Sequence, residues 1–209
     1  MVVAGLPRGP GAYGRGVTRV PAWGVASSIG APLALIGGWT LAARLQPPGY
    51  DPVTQTISSL AGLDAAHRWV MTLGLLGTGV CQATTALALR PAARAGRRLL
   101  AVGGGFTVLV GLNPLPSANG YSAVHAVVAV GAFVALATWP LASWRRGTCV
   151  PWGLRLRVAV AAGCVLAALT GWFFGAALLG GGAIGLSERV AAGSQALWPL
   201  AVVLSGRRS

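Results

Sequence analysis

Apolar residues are concentrated in six long runs, separated by short segments that contain most of the charged and turn-forming residues. Each run is close to the roughly 20 residues that an α-helix needs to cross a bilayer. The runs lack the regularly spaced polar face of a helix in a soluble protein. They therefore predict an all-α, polytopic integral membrane protein folded as a six-helix bundle. The predicted helices are Val25–Leu45, Trp69–Leu89, Leu99–Leu115, Ser122–Leu141, Val158–Leu179 and Val190–Ser205.

The composition agrees with this interpretation. Only 9% of the 209 residues are charged, whereas a soluble domain has about a quarter. Residues 1–22 are rich in Gly, Pro and Arg and predict a flexible tail. The six-helix domain then extends over residues 23–206, and residues 207–209 form a second short tail. The net charge of +13 does not indicate nucleic-acid binding, because the basic residues form small clusters between the apolar runs.

The distribution of arginine predicts the orientation of the bundle. All 16 basic residues are arginines, and counting along the chain places 13 on one side of the predicted membrane and three on the other. The side with more arginine is expected to face the cytoplasm, so both termini are predicted to be cytoplasmic. Abundant Gly and Ala with no Lys are typical of a GC-rich bacterial genome, so we expect a bacterial plasma membrane.

The first loop on the outer side is long and begins with a helix-start pattern. Asp51 is a good N-cap and Pro52 suits the first helical position. Val53, Ile57 and Leu60 then follow at the spacing of one helical face. We predict a short amphipathic helix here, on the membrane surface or over the mouth of the bundle. It is either a structural cap or a lid over a pocket.

The remaining polar residues converge on the same outer side, which makes it the candidate site. Nucleophilic or acid–base chemistry needs a hydroxyl, a histidine and a carboxylate. The candidate catalytic residues are His125, His67, Asp51 and Ser58. The candidate ligand-binding residues are Tyr50, Ser59, Asn113, Glu188 and Arg189.

Several of these residues also have structural interpretations. An ionisable group inside a membrane run, such as His125, indicates function by default, but it can simply bond a loop carbonyl. Such a carbonyl is expected near Asn113, because Pro114 interrupts the third helix. Glu188 and Arg189 are expected to form an ion pair that ties the last helix to the outer cap, with a catalytic acid as the alternative.

Metal and cofactor sites find little support in the sequence. Cys81, Cys149 and Cys164 have no ligand-type spacing. His125 and His67 with an outer carboxylate could bind zinc, but no HExxH-type pair is present. We therefore predict no metal and assign no cofactor.

The runs themselves contain few polar groups. Gln82 and Gln195 suffice for interhelical hydrogen bonds, and the absence of a charged residue at mid-membrane ranks transport below the other functions. Gly171 and Gly175 are expected to allow close helix packing, within the chain or across a dimer seam.

Three stretches resemble a known family. Tyr50–Pro52 followed by Thr56–Leu60 is similar to the first outer loop of the bacterial membrane family known as domain of unknown function 998. Asn113–His125, with a proline break before a histidine, and Gly185–Arg189 resemble two further parts of that family. The resemblance covers about residues 25–204 and implies a six-helix bundle without supplying an activity. One departure is that Pro116 is followed by Ser117, where an acid is expected.

Three functions follow from these observations. The first is a membrane protein that binds a lipid or a membrane partner through its outer mouth without catalysis. The second is a membrane enzyme that acts on a lipid or isoprenoid substrate. The third is a small-solute transporter. The predicted partners are the bilayer and a possible lipid ligand, with no nucleic acid, and the oligomeric state is not predicted.

Overall fold

A computed structural model describes residues 20–118, 120–147 and 150–207. This part of the chain is all-helical and contains six α-helices and two short 3₁₀ helices, Ser58–Ala61 and Trp152–Leu154. The α-helices are α1 (Ala22–Arg44), α2 (Trp69–Ala88), α3 (Arg94–Leu112), α4 (Ala123–Thr138), α5 (Leu156–Leu178) and α6 (Ile184–Ser205). Most of the predicted N-terminal tail, the end of the C-terminal tail and Cys149 lie outside the described residues.

The six helices form a closed ring of antiparallel neighbours. Each helix packs against the next in the sequence, and α6 packs against α1. We call the end at which α1, α3 and α5 finish the upper end, and the opposite end the lower end. The upper end contains the loops at residues 45–68, 113–122 and 179–183, so it corresponds to the predicted outer side.

Apolar helices identify the chain as a membrane protein. By length and composition, α1, α2, α3 and α5 could each cross a membrane, and α4 is a shorter apolar helix of 16 residues. α6 is 22 residues long and includes Glu188 and Arg189 in its second turn. The predicted all-α bundle is confirmed.

Two helices differ from their predicted limits in ways that matter for the chemistry. α3 begins at Arg94 instead of Leu99 and ends at Leu112 instead of Leu115. α6 begins at Ile184 instead of Val190. The apolar runs define only the part of a helix that is hydrophobic, whereas the helices continue into charged sequence. At its other end, α3 stops before Pro114 because proline disfavours helical backbone at the preceding residue.

The interior contains two apolar clusters. The first, which we call the upper apolar cluster, joins α1, α2, α3, α4 and α6 to the long loop. The second, which we call the lower cluster, surrounds the fully buried Trp139. Buried polar side chains at intermediate heights include Thr78, Gln82 and Gln195. The lower cluster contains Ala86, Leu89, Ala92, Leu100, Leu136, Trp139, Leu154, Val202 and Val203.

The long loop enters the ring instead of lying across it. Ile57, Leu60 and Ala61 are each at most 2% exposed and belong to the upper apolar cluster. We call residues 57–61 the plug segment. The amphipathic helix predicted from Asp51 is reduced to a turn followed by the four-residue 3₁₀ helix, and Val53 is exposed. A longer helix is not formed because the chain turns inward to bury Ile57 and Leu60.

Glycines allow α2 and α3 to approach closely. A Cβ atom at Gly79 would lie 2.5 Å from the Gly104 carbonyl oxygen, and one at Gly104 would lie 2.6 Å from the Gly79 oxygen. At Gly171 and Gly175 a Cβ would meet nothing within 4 Å. The predicted packing role of these two glycines within the chain is therefore wrong, because both face open space among the described residues.

We expect Gly104→Ala to lower the melting temperature of the detergent-solubilised protein, because the added methyl group forces α2 and α3 apart at a cost of about 1–3 kcal/mol. Gly171→Ala is the matched control, which adds the same methyl group where nothing opposes it and improves helix propensity. Equal melting temperatures for the two variants would contradict this description of the α2–α3 contact.

Candidate functional site

Ser58 and His125 meet beneath the upper loops. The Nε2 atom of His125 lies 3.0 Å from Ser58 Oγ, and its Nδ1 atom lies 2.7 Å from the backbone oxygen of Asn113. Ser122 caps α4 by accepting the His125 backbone N–H, which places the ring one turn into the helix. His125 is only 6% exposed. Three separate chain segments, namely the plug segment, the end of α3 and the start of α4, thus fix the geometry of one serine–histidine pair.

Glu188 completes this cluster from α6. Its Oε1 atom accepts the Ser58 hydroxyl at 3.3 Å, and its Oε2 atom accepts the backbone N–H of Ile57 in a short hydrogen bond. Glu188 is 4% exposed, so these donors replace the water that a carboxylate normally binds. Ser58 therefore lies between a histidine and a carboxylate, and we call Ser58, His125 and Glu188 the upper cluster site.

The hydrogen-bond directions in this site depend on its proton count. A carbonyl can only accept, so the bond to Asn113 places a proton on Nδ1 of His125. Ser58 has one proton and two acceptors, Nε2 and the Glu188 carboxylate, when neither neighbour is protonated. One added proton satisfies both contacts of Ser58. If Glu188 carries it, Glu188 donates to Ser58 and Ser58 donates to His125; if His125 carries it, His125 donates to Ser58 and Ser58 donates to Glu188. The site can therefore pass a proton between Glu188 and His125 through Ser58.

Arg189 holds the loop that leads into the plug segment. Its Nη1 atom donates to the carbonyl oxygens of Pro52 at 2.8 Å, Gln55 at 2.7 Å and Gly185 at 2.9 Å. Its Nη2 atom donates to the Tyr50 hydroxyl in a short hydrogen bond. Burial raises the pKa of the Tyr50 phenol above its ordinary value, although nearby Arg189 opposes the shift.

The start of α6 itself contacts the same loop backbone. The Leu186 N–H donates to the Val53 oxygen at 3.0 Å. A Cβ atom at Gly185 would lie 2.2 Å from the Gln55 oxygen, so the approach requires glycine. The expected Glu188–Arg189 ion pair is replaced by two separate attachments, because each side chain bonds a different part of the loop. Both residues nevertheless tie the last helix to the cap.

Two predicted catalytic residues lie outside the upper cluster site. Asp51 accepts the Val53 N–H at 2.9 Å and the Thr54 hydroxyl at 2.8 Å, so its side chain caps its own turn. The Val53 N–H holds the pKa of Asp51 below its ordinary value, with Thr54 adding to the effect. His67 is exposed, with a left-handed backbone φ of 51°. The carboxylate near Ser58 is therefore that of Glu188, which lies 130 residues away in sequence.

Two predicted ligand-binding residues have local roles. The buried Ser59 donates to the Thr56 oxygen at 2.7 Å, which stabilises the turn before the 3₁₀ helix. Asn113 contributes its backbone oxygen to His125, while its side chain donates to Leu109 within α3. The helix break at Pro114 leaves this carbonyl available, as the sequence predicted.

A cavity of about 60 Å³ lies below the upper cluster site. The two glutamines that line it have amide groups that are only partly hydrogen-bonded by the described residues. Gln195 donates from Nε2 to the Phe133 oxygen and to Thr170, which leaves Oε1 without a partner among the described residues. Gln82 accepts one hydrogen bond among the described residues, from the Thr107 hydroxyl to its Oε1 atom at 3.5 Å. The lining comprises Leu35, Ile57, Ser58, Leu75, Thr78, Gln82, Thr107, Val110, Ala129, Ala132, Phe133, Leu136, Glu188, Ala192 and Gln195.

The sequence did not indicate that Gln82 and Gln195 share a cavity with Glu188. The sequence predicts interhelical hydrogen bonds for both glutamines. For Gln195 this describes the Nε2 atom, which bonds Phe133 and Thr170, but not the Oε1 atom. Their positions 13 residues into α2 and 11 residues into α6 place them at similar depths below the upper end. Among the described residues, no group of three or more His, Cys, Asp or Glu side chains could hold a metal ion.

Comparison with protein families assigns the chain. Residues 28–205 match the family described as protein of unknown function (DUF998). The match covers most of the chain, so this protein belongs to the DUF998 family, as the sequence resemblance implied. No curated protein and no solved structure matches the chain significantly.

We expect Glu188→Ala to lower the free energy of unfolding by about 1–3 kcal/mol, because it leaves the buried Ile57 N–H without an acceptor and removes one of the two acceptors of the Ser58 hydroxyl. Glu188→Gln retains an oxygen for Ile57 and offers an amide donor to Ser58, so its effect should be smaller. Thermal unfolding in detergent, followed by tryptophan fluorescence, measures both variants. Ser187→Ala, at the adjacent buried position, is the control, and an alanine effect no larger than this control would refute the assigned role.

Proposed function

We propose that this DUF998 protein is a membrane enzyme in which Ser58 is the nucleophile and His125 the general base. The supporting observation is the contact of Ser58 Oγ with Nε2 of a histidine whose Nδ1 is fixed by the Asn113 carbonyl. A nucleophile, a base and a group that orients the base are the elements of serine-dependent acyl transfer. Here a backbone carbonyl takes the orienting position that a carboxylate often occupies.

The proposed reaction cleaves an ester. Ser58 Oγ attacks the carbonyl carbon while its proton moves to His125 Nε2. The bond to the leaving alcohol then breaks, and the alcohol takes that proton. A water molecule, deprotonated by His125, subsequently releases the acid and restores the Ser58 hydroxyl. The Glu188 carboxylate, on the other side of Ser58, stabilises the positive charge that His125 holds between these steps.

The position of the site favours an ester of a membrane lipid as substrate. Ser58 lies at the end of the bundle where α1 finishes and α2 begins, which corresponds to the level of the headgroups for a protein that spans the bilayer. Lipid esters are located at this level, between the headgroup and the acyl chains. An isoprenoid ester would present the same bond at the same depth.

Binding without catalysis is the second candidate. The cavity favours it, because the unpaired amide atoms of Gln82 and Gln195 lie in a site that a hydrogen-bonding ligand would satisfy. An amide atom that faces a cavity without a protein partner can be bonded there by a ligand or by ordered water. In this case Ser58, His125 and Glu188 would hold the plug segment over the ligand.

Transport has less support. The cavity extends from Glu188 to Gln82 and Gln195, as a solute path would require. Below it, however, the lower cluster of Leu89, Leu100, Leu136 and Trp139 is packed and apolar. A path through the bundle would require this cluster to separate.

We further propose that all six helices span a bacterial plasma membrane with both termini in the cytoplasm. The 13 arginines assigned to the lower end and the three at the upper end support this orientation. The upper cluster site would then face the extracytoplasmic side, so a lipid substrate would come from the outer leaflet.

Membranes that contain the protein should react with a fluorophosphonate probe, which modifies activated serine hydroxyls. We expect labelling of the wild type, loss of labelling in Ser58→Ala, and retention in Ser59→Ala, because Ser59 bonds only within its own turn. His125→Ala should reduce labelling at least about tenfold, since general-base assistance contributes a factor of about 10²–10⁴.

Gel fluorescence, normalised to the amount of folded protein on size-exclusion chromatography, gives the readout. A folded wild type that does not react would remove the enzyme proposal and leave the binding candidate. Labelling that persists in Ser58→Ala would assign the nucleophile to a different residue.

The orientation is tested by cysteine accessibility in intact cells, with Cys81, Cys149 and Cys164 replaced by alanine. We expect a membrane-impermeant maleimide to label Ser117→Cys, in the upper loop, and not Arg146→Cys, at the lower end. Permeabilised cells provide the control, in which both positions should react. The reverse pattern in intact cells would invert the proposed topology.

A further inference from the structure

The lower end contains a basic crevice at the start of α3. Arg94, Arg97 and Arg98 are spaced at i, i+3 and i+4, so they share one face of the helix. The crevice has a volume of about 230 Å³ and is completed by Ala86, Leu87 and Ala101. From the apolar run, this stretch was expected to be a loop, and only the earlier start of α3 brings the three guanidinium groups together.

Arg97 gives the crevice a fixed shape. Its Nε atom donates to the Ala86 oxygen at 2.8 Å, and Nη2 donates to the Leu87 oxygen at 2.9 Å. These two carbonyls belong to the last turn of α2, where no helical partner is available. Arg97 is therefore committed to the α2–α3 junction, whereas Arg94 and Arg98 are exposed beside it.

No acidic side chain lies at this crevice among the residues that the structure describes. The sequence contains only three acidic residues. Asp51 and Asp64 lie in the upper loop, and Glu188 is bonded to the plug segment. Guanidinium groups confined next to one another repel unless an anion lies between them. None of the three acidic side chains therefore supplies a counter-charge here, and an anion from another molecule can do so.

The surface beside the crevice is apolar and faces outward. Leu87, in the crevice wall, is 64% exposed, and Val80, two turns along the same face of α2, is 57% exposed. On α3, Val102 and Leu109 are 48% and 41% exposed. A basic crevice continued by two exposed apolar faces matches a molecule with an anionic head and hydrocarbon tails.

We propose that this crevice binds the phosphate of an anionic phospholipid between Arg94 and Arg98, with Arg97 as a fixed third donor. Arginine suits a phosphate because its planar group can donate two parallel hydrogen bonds. The acyl chains would lie along the exposed faces of α2 and α3. This site is independent of the enzyme proposed at the upper end.

The test is native mass spectrometry of the full-length protein, released from detergent with added phosphatidylglycerol or phosphatidylcholine. We expect phosphatidylglycerol adducts to predominate. Arg94→Ala with Arg98→Ala should weaken phosphatidylglycerol binding by roughly thirtyfold, because each arginine near an anionic lipid contributes about a factor of five. Arg94→Lys with Arg98→Lys keeps both charges and should retain most of the binding.

Arg145→Ala with Arg146→Ala is the matched control, which removes two charges from the same end of the bundle outside the crevice. Equal weakening in this control would mean that total charge attracts the lipid, and the crevice proposal would be overturned. Undiminished binding in the Arg94/Arg98 alanine variant would overturn it as well. Inorganic phosphate that binds as tightly as phosphatidylglycerol would assign the site to free phosphate instead of a lipid.

Discussion

The arrangement of the upper end depends on the hydrogen bonds that Glu188 accepts from the plug segment. A carboxylate that leaves water must recover its hydration from protein donors, and here the Ile57 N–H and the Ser58 hydroxyl provide them. The plug segment depends on Glu188 in turn, because its buried Ile57 N–H and its Ser58 hydroxyl need this acceptor inside the ring. Ser58 consequently has little freedom, and its position against His125 follows from the burial of Glu188.

This attachment also explains why the long loop is not an amphipathic helix on the membrane surface. Arg189 and the Leu186 N–H bind three carbonyls before the plug segment, and Glu188 binds an amide within it. A regular helix would use those same backbone groups internally. The apolar spacing of Ile57 and Leu60 predicts their burial, and both are buried. The competition of α6 for the loop backbone has no local signal in the sequence, because the competing residues lie more than 130 positions away.

The fold was therefore more predictable than the site. Helices appear where the apolar runs indicated, since length and hydrophobicity are local properties, and the errors occur where helices continue into charged sequence, at Arg94 and Ile184. In the site, Ser58, His125 and the Asn113 carbonyl were recognised, because a proline break and a histidine one turn into a helix are local signals. Proximity in sequence favours Asp51 as the carboxylate beside Ser58, but Asp51 caps its own turn and Glu188 contacts Ser58 instead.

The two ends of the bundle satisfy their charges by opposite means. At the upper end, all three carboxylates and Arg189 are bonded by the protein: Glu188 by the plug segment, Asp51 by its own turn, Asp64 by the Ala118 N–H and Arg189 by loop carbonyls. At the lower end, arginines are numerous and none of the three acidic side chains lies near them. A charge that the protein bonds itself can be buried, as the Glu188 carboxylate is. A charge that it leaves unpaired must remain at the surface, where an anion from the surroundings can reach it. The placement of all three acidic side chains at the upper end thus leaves the arginines of the lower end to anions from outside the protein, and this is why the proposed lipid site lies there and not beside Glu188.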